Sequence, residues 1–344
     1  MPTRTTVDRT VRLDHLVRLS TPTGLFEHAL GPEPRVEHGM CVDDVARALV
    51  VMARAPHGDP EVATLTATYL RFVRSAQRPG GLVHNRRTPD GSWLDEPSTD
   101  DHWGRAVWAL GTAAARVRDP GLAADAHRGA GEALAARSPH VRATAYAALG
   151  AVELLRVDPR HAGAHRLLQD ARDALPRPTS DPRWPWPEAR LSYANAVLAE
   201  ALIAVGDALG DDGLLADGLR LLDWLVTVQT ADGHLSVVPA GGRGPDDGRR
   251  GFDQQPIEVT AVAEAAATAL RATGDDRWAV VIERCVSWFE GDNDAGVPVR
   301  DVATGAGFDG LEPDGVNQNQ GAESTLAWLA CAQLGGPPRP TPAP

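Results

Sequence analysis

The sequence predicts an all-α protein folded as an (α/α)6 toroid of about twelve helices in alternating inner and outer pairs. Apolar residues recur at helical spacing over most of its 344 residues, and no convincing run alternates with period two. Short turns (56–59, 118–120, 273–276) alternate with long connections rich in Gly, Pro, Asp and Trp (20–42, 78–99, 176–187, 230–255, 291–320). Each long connection links an odd helix to the next even one, so all of them emerge on one side, where long loops usually serve function. Acids cluster where the even helices begin. Those N-termini are expected to surround one cavity.

Helices are expected over 7–19, 43–55, 60–77, 100–117, 120–136, 140–156, 161–175, 188–208, 212–229, 256–273, 275–290 and 321–334. The stretch 197–205 (VLAEALIAV) is apolar nearly all round, as a buried helix is. Its counterpart 257–270 (IEVTAVAEAAATAL) is Ala-rich and suits close helix packing. By contrast, 60–77 and 120–136 carry charges on one face and read as outer helices. Four long connections open with Gly and an apolar or half-apolar pair: Gly24-Leu25-Phe26, Gly81-Leu82-Val83, Gly233-His234-Leu235 and Gly296-Val297-Pro298. This reads as a repeated helix hairpin at irregular spacing. A tetratricopeptide or armadillo solenoid would need a regular period and short loops. No linker divides 1–334, which reads as one domain, and 335–344 (GGPPRPTPAP) reads as a disordered tail.

The formal charge is −12, from 46 acids against 34 bases, which disfavours a nucleic-acid or anionic-membrane surface. Every base is Arg, so chemistry that needs a lysine amine is excluded: a Schiff base, a pyridoxal-phosphate anchor, a phosphate-loop lysine. Cys41, Cys285 and Cys331 are far apart and form no CxxC pair, which argues against a disulfide framework or a cysteine zinc site. No stretch approaches 18 apolar residues, and the N-terminus has no hydrophobic signal core. The expectation is a reduced, cytoplasmic protein with no membrane or nucleic-acid partner, a monomer or weak dimer, with no cofactor and no metal.

The candidate chemistry lies at the even-helix starts. The second helix opens Cys41-Val42-Asp43-Asp44, with Arg47 beyond; the fourth opens Asp100-Asp101-His102-Trp103, with Arg105 beyond. Glu188 follows Trp184-Pro185-Trp186-Pro187, Glu258 follows Gln254-Gln255-Pro256, and Glu323 follows Asn319-Gln320-Gly321. The sixth helix is the exception, opening Ser138-Pro139-His140. Plain capping explains any one acid, since acids in a first turn offset the dipole and take up free N–H groups. Ser98 to Asp101 fits a capping box, Pro187 and Pro256 fit first helical positions, and Asp43–Arg47 and Asp101–Arg105 have i, i+4 ion-pair spacing.

Capping does not need Trp, Gln, Asn and His beside each acid. Trp93, Trp103, Trp184 and Trp186 lie in or beside the long loops, and a flat aromatic face beside amides and carboxylates suits a sugar ring. A buried packing cluster would use the same mixture. The expected substrate contacts are Asp43, Trp103, Arg105, Trp184, Trp186, Asn195, His234, Gln254, Gln255 and Asn319. Glycoside cleavage needs two carboxyl groups flanking the bond, one protonated and one ionised, about 6.5–9.5 Å apart for inversion and about 5 Å for retention. In a twelve-helix ring the second helix faces the eighth and the fourth faces the tenth. Asp101 with Glu258 is therefore the first expected pair, with Asp44, Glu188 and Glu323 in reserve. HExxH, GxSxG and GxGxxG motifs are absent. His28, His38, His84, His102 and His234 suit a sugar epimerase or serve as caps, and Asp292, Asp294 and Asp301 suit a metal or a turn.

The phrases 41–49 (CVDDVARAL), 101–111 (DHWGRAVWALG), 181–203, 252–262 (FDQQPIEVTAV) and 317–329 (NQNQGAESTLAWL) resemble the six-hairpin glycosidase superfamily over nearly the whole chain. More narrowly, they resemble bacterial proteins labelled glycosyltransferase or found beside one. The resemblance implies catalytic acids on the inner helix ring, and it leaves the pair unassigned because the sixth helix lacks one. The expected function is an inverting glycoside hydrolase acting on a short glycan. The alternative is a non-catalytic glycan-binding or accessory domain that partners a glycosyltransferase; a sugar epimerase or isomerase is the third reading.

Overall fold

The computed structural model describes residues 11–248 and 250–336. Among these it forms twelve helices: α1 (Asp14–Leu19), α2 (Val42–Arg54), α3 (Pro60–Ala76), α4 (Asp101–Arg116), α5 (Pro120–Ala133), α6 (Val141–Leu155), α7 (Ala162–Ala174), α8 (Ala196–Leu209), α9 (Asp212–Val228), α10 (Pro256–Thr273), α11 (Arg277–Phe289) and α12 (Ala322–Gly335). The even helices pack in sequence, α2 on α4, then α6, α8, α10 and α12, and α12 closes the ring against α2. Each odd helix packs outside an even one: α3 on α2, α5 on α4, α7 on α6, α9 on α8, α11 on α10 and α1 on α12. The fold is the (α/α)6 toroid.

The two rings differ because their sequences do. In α8 every residue from Ala196 to Gly206 is buried, and in α10 every residue from Glu258 to Ala269. An all-round apolar helix is stable only with neighbours on every side, which is the inner position. In α7 the buried residues are Ala164, Leu167, Leu168 and Ala171, the single stripe of a helix with one wet face.

The inner helices α4 and α6 approach most closely through glycines. A Cβ on Gly111 would lie 2.1 Å from the Gly150 carbonyl oxygen, and one on Gly150 would lie 2.3 Å from that of Val107. Gly111→Ala is therefore expected to destabilise the protein by roughly 1–3 kcal/mol through overpacking, although Ala is the better helix former by about 1 kcal/mol. Thermal melting measures this directly. An unchanged or raised melting temperature would contradict the close approach.

Four long connections fold back on the helix they leave. Phe26, His84, Ser236 and Val299 donate their N–H groups to the carbonyls of Leu19, Ala76, Gln229 and Phe289, at 3.0, 3.0, 2.8 and 2.9 Å. Each donor follows the expected glycine by two or three residues. Gly81 (φ 83°) and Gly233 (φ 93°) turn the chain through backbone angles that side chains disfavour. Short antiparallel pairs brace these connections: β1 (Ser20–Thr21) with β2 (Gly24–Leu25), β3 (Ala29–Leu30) with β4 (Glu33–Pro34), β5 (Met40–Cys41) with β6 (Arg86–Arg87), β7 (Thr230–Ala231) with β8 (His234–Leu235), and β9 (Gly310–Glu312) with β10 (Gly315–Asn317). The β5–β6 pair ties the first long connection to the second.

Two expected helices are shorter than their spacing predicts. Helix α1 begins at Asp14 rather than 7, and residues 7–10 lie outside the described residues. Helix α8 begins at Ala196 rather than 188, because the preceding backbone pairs elsewhere: Leu191 and Arg243 exchange N–H···O bonds of 2.7 and 3.0 Å. Gly335 closes α12, and 337–344 of the expected tail lie outside the described residues. Among the described residues no helix is long and apolar enough to cross a membrane.

Candidate active site

The outer helices α3, α5, α7 and α9 are capped in the ordinary way, by the side chains of Asp59, Asp119, His161 and Asp211. None of the six inner helices has a side-chain bond from its own N-cap residue. Nor does the capping box at Ser98 form: the Ser98 hydroxyl donates to Asp100 at 2.8 Å. Two inner termini are instead satisfied from the loops. Asn85 Oδ1 accepts from the N–H groups of Val42 and Asp43, and Asp309 Oδ1 from that of Gly321. The acids of α2, α4 and α12 are thereby free to face the space between them.

That space is a cavity of about 450 Å³ at the long-loop end of the ring, and most of its polar lining comes from α2, α4 and α12. Of the expected residues it brings together Asp43, Asp44, Asp101, Arg105, Gln255 and Glu323. Arg47 also borders a second, small cavity of about 40 Å³, lined by Val50, Trp108, Tyr146, Val197 and Leu326.

The charges are paired both along and across the helices. Arg47 reaches Asp44 at 2.6 Å and Glu323 at 2.8 Å, not Asp43. Arg105 binds Asp43 and lies 3.9 Å from Asp101, with its guanidinium 4.9 Å from the centre of the Tyr146 ring. Burial pushes the Asp44 carboxyl up to about 7, helped by the negative charges of Glu323, Glu27 and Asp43 and opposed by Arg47. Burial acts the same way on Asp43, but Arg105 and Arg47 outweigh it and hold that carboxyl below its ordinary value. Two adjacent carboxyls on one helix turn are thus shifted in opposite directions, Asp44 up and Asp43 down.

Glu258 is not on this cavity. It is buried, and its oxygens accept from the Ala194 N–H, from Asn195 Nδ2 at 2.8 Å and from the Asn195 N–H at 3.4 Å. Burial raises its carboxyl to about 7 against those bonds. It acts on the cavity indirectly, since the turn it holds carries Tyr193, whose hydroxyl donates to Asp101. The expected partners Asp101 and Glu258 are thus joined through a turn rather than facing each other across a substrate.

The remaining expected residues do not line this cavity. Glu188 is held by Arg142 at 2.8 Å through both oxygens, beside the Trp186 indole N–H at 3.2 Å. The sixth helix thus supplies an arginine, where α2, α4, α10 and α12 supply acids. Trp186 and Trp103 are fully buried and offer no face to a sugar, while Trp184 is partly buried and meets Trp224 edge-on, away from this cavity. Asn195 is buried against Glu258. His234 and Gln254 both bond Asp294, at 2.8 and 2.7 Å, which places them in a loop brace. Asn319 accepts from the Gly31 N–H at 3.0 Å and ties two connections together. Of the metal alternative, Asp294 is taken up in that brace and Asp301 caps its own turn at Ala303 and Thr304.

Four lining residues, Glu27, His28, Tyr193 and Asp309, lie on connections, and of these only His28 stood out in the sequence. Burial raises the Asp309 carboxyl above its ordinary value. Glu27 is held by Arg86, and His28 contacts His38 at 2.9 Å on the rim. No local pattern marks such residues, because the partners of Asp309 and Tyr193 lie 12 and 92 positions away.

No known protein family and no curated protein sequence matches the chain. Solved structures match it in fold. A sugar epimerase from a ruminal bacterium shares 15% identity at a TM-score of 0.68, over 94% of this chain and 96% of that one. D-mannose isomerase shares 13% at 0.66, over 97% and 99%. A cellulase of C. cellulolyticum in complex with cellobiose shares 9% at 0.63, over 91% and 87%. At these identities the likeness establishes the toroid.

Proposed function

We propose that the protein is a carbohydrate-active enzyme, an inverting glycoside hydrolase acting on a short glycan, with Asp44 as general acid and Asp101 as general base. One observation carries this reading: a single cavity holds Asp44, whose carboxyl burial pushes up to about 7, beside Asp43, whose carboxyl Arg105 and Arg47 hold below its ordinary value. The acid must be protonated when the glycosidic oxygen leaves, and Asp44 meets that need at neutral pH. Asp101 is partly exposed and oriented by Tyr193, as a base that takes a proton from water must be. Proton transfer then runs from Asp44 to the leaving oxygen while Asp101 takes a proton from the attacking water.

A second reading, sugar epimerisation or isomerisation, is favoured by the nearly full mutual coverage of the sugar epimerase and the mannose isomerase, and by His28 in the lining. It needs a base beside the carbon that exchanges its proton, and the cavity supplies one histidine against six carboxyl groups. Incubation with aryl glycosides and with gluco-, manno- and uronic-acid oligosaccharides, followed by proton NMR, separates the readings. Hydrolysis in which the first product is the opposite anomer is expected. Product of unchanged mass would transfer the site to epimerisation, and binding without turnover on every bound sugar would remove the enzyme reading.

A further inference from the structure

On the outer wall, away from the cavity, three side chains from two elements converge. His127 projects from α5, and Asp158 and His161 flank the turn between α6 and α7. His127 Nε2 lies 3.2 Å from Asp158 Oδ2, and the two imidazoles meet edge-on with ring centres 5.5 Å apart. One potential ligand atom from each of the three lies within 4.8 Å of the others. The turn is fixed by its own backbone, since His161 donates its N–H to the Asp158 carbonyl at 3.0 Å. His165 braces it further through Nε2 against the Pro159 carbonyl at 2.9 Å. On α5, one turn past His127, His161 Nε2 packs over Gly131, where a Cβ would make an ordinary 3.4 Å contact with that nitrogen.

We propose that His127, Asp158 and His161 form a binding site for a divalent transition metal, Zn²⁺ above all, that clamps α5 to the start of α7. Two imidazoles and a carboxylate with an open fourth position make a set that Zn²⁺ accepts, water completing the tetrahedron. Ligand atoms around such an ion stand about 3.4 Å apart, as bond lengths near 2.1 Å require. One pair is already at 3.2 Å, and one potential ligand atom from each of the three lies within 4.8 Å of the others. The other cluster of this kind among the described residues, Glu27, Cys41 and Asp44, is a poor rival. Arg86 and Arg47 already hold its carboxylates, and burial keeps its thiol protonated.

Coordination has a structural consequence. His161 Nδ1 accepts the Ala164 N–H at 3.1 Å as the cap of α7. An ion on Nδ1 replaces that bond, and an ion on Nε2 moves the ring proton to Nδ1, where it faces a second N–H. Either way the cap is lost, at a cost in affinity of about tenfold. The Ala164 amide therefore reports binding.

The test is calorimetric titration of the untagged full chain with zinc chloride, alongside His127→Gln and His161→Asn, with amide NMR of the same samples. Asn retains the cap, so the second variant keeps its helix start. Wild type is expected to bind one Zn²⁺ with micromolar affinity, each variant at least tenfold more weakly, and the Ala164 amide to shift on zinc addition only in wild type. Absence of zinc binding to wild type would overturn the proposal, as would variants that bind like wild type.

Discussion

Asp44→Asn is expected to lower turnover by about 10²–10⁴-fold, the usual contribution of general acid catalysis, while the helical ring stays intact. Asn has the same shape, and its one oxygen can keep the 2.6 Å bond from Arg47, while its NH2 replaces the oxygen that now accepts from the Cys41 thiol at 3.2 Å. It cannot deliver a proton. Wild-type activity is expected to fall as pH rises through about 7, where Asp44 loses its proton, and the variant should lack that limb. Stability carries the same signature. The folded carboxyl binds its proton more tightly than the unfolded one, so the contribution of Asp44 is complete below about pH 4 and is lost as pH rises towards 7. The variant should melt with less dependence on pH across that window. Full turnover in Asp44→Asn would assign Asp44 to structure alone.

Glu258→Ala is expected to cost roughly 2–5 kcal/mol of stability. It strands the Ala194 N–H and the Asn195 amide without an acceptor in the core, and unsatisfied buried groups cost about 1–3 kcal/mol each. Turnover should fall as well, by about tenfold, because the released turn carries Tyr193 away from Asp101. Glu258→Gln keeps one acceptor oxygen and should be milder on both counts, with the limb near pH 7 preserved. A Glu258→Gln variant of unchanged melting temperature with no turnover would reverse the assignment, making Glu258 the proton donor.

The architecture was legible in the sequence because burial on every side leaves a plain mark, as in VLAEALIAV at 197–205, and because one-sided stripes mark outer helices. The acids of the cavity were legible for a related reason: a residue in the first turn of an inner helix has its place set by the ring. That rule placed Asp43, Asp44, Asp101 and Glu323 correctly at the cavity. It misplaced Glu188, because Pro187 resembles a first helical residue while the backbone at Leu191 pairs with Arg243. Glu258 does stand in a first turn, but its side chain points at the 194–195 turn rather than inward. The tryptophans were ambiguous for a different reason. An aromatic beside an acid has the same composition whether it faces a sugar or a neighbouring indole, and only the packing of Trp184 and Trp186 on Trp224 decides. Tyr193 and Asp309 were illegible, since loops bring them to α4 and α12 through contacts that no local spacing encodes.

The most direct test of the account is a carbon-13 NMR titration of the aspartate carboxyl groups in wild type and in Asp44→Asn, which needs no knowledge of the substrate. One aspartate resonance titrating near pH 7 in wild type and missing from the variant is the predicted result. If no resonance that vanishes in the variant titrates above about pH 5, within the range of ordinary carboxylates, the cavity has no proton donor at Asp44. The acid–base assignment would then be wrong.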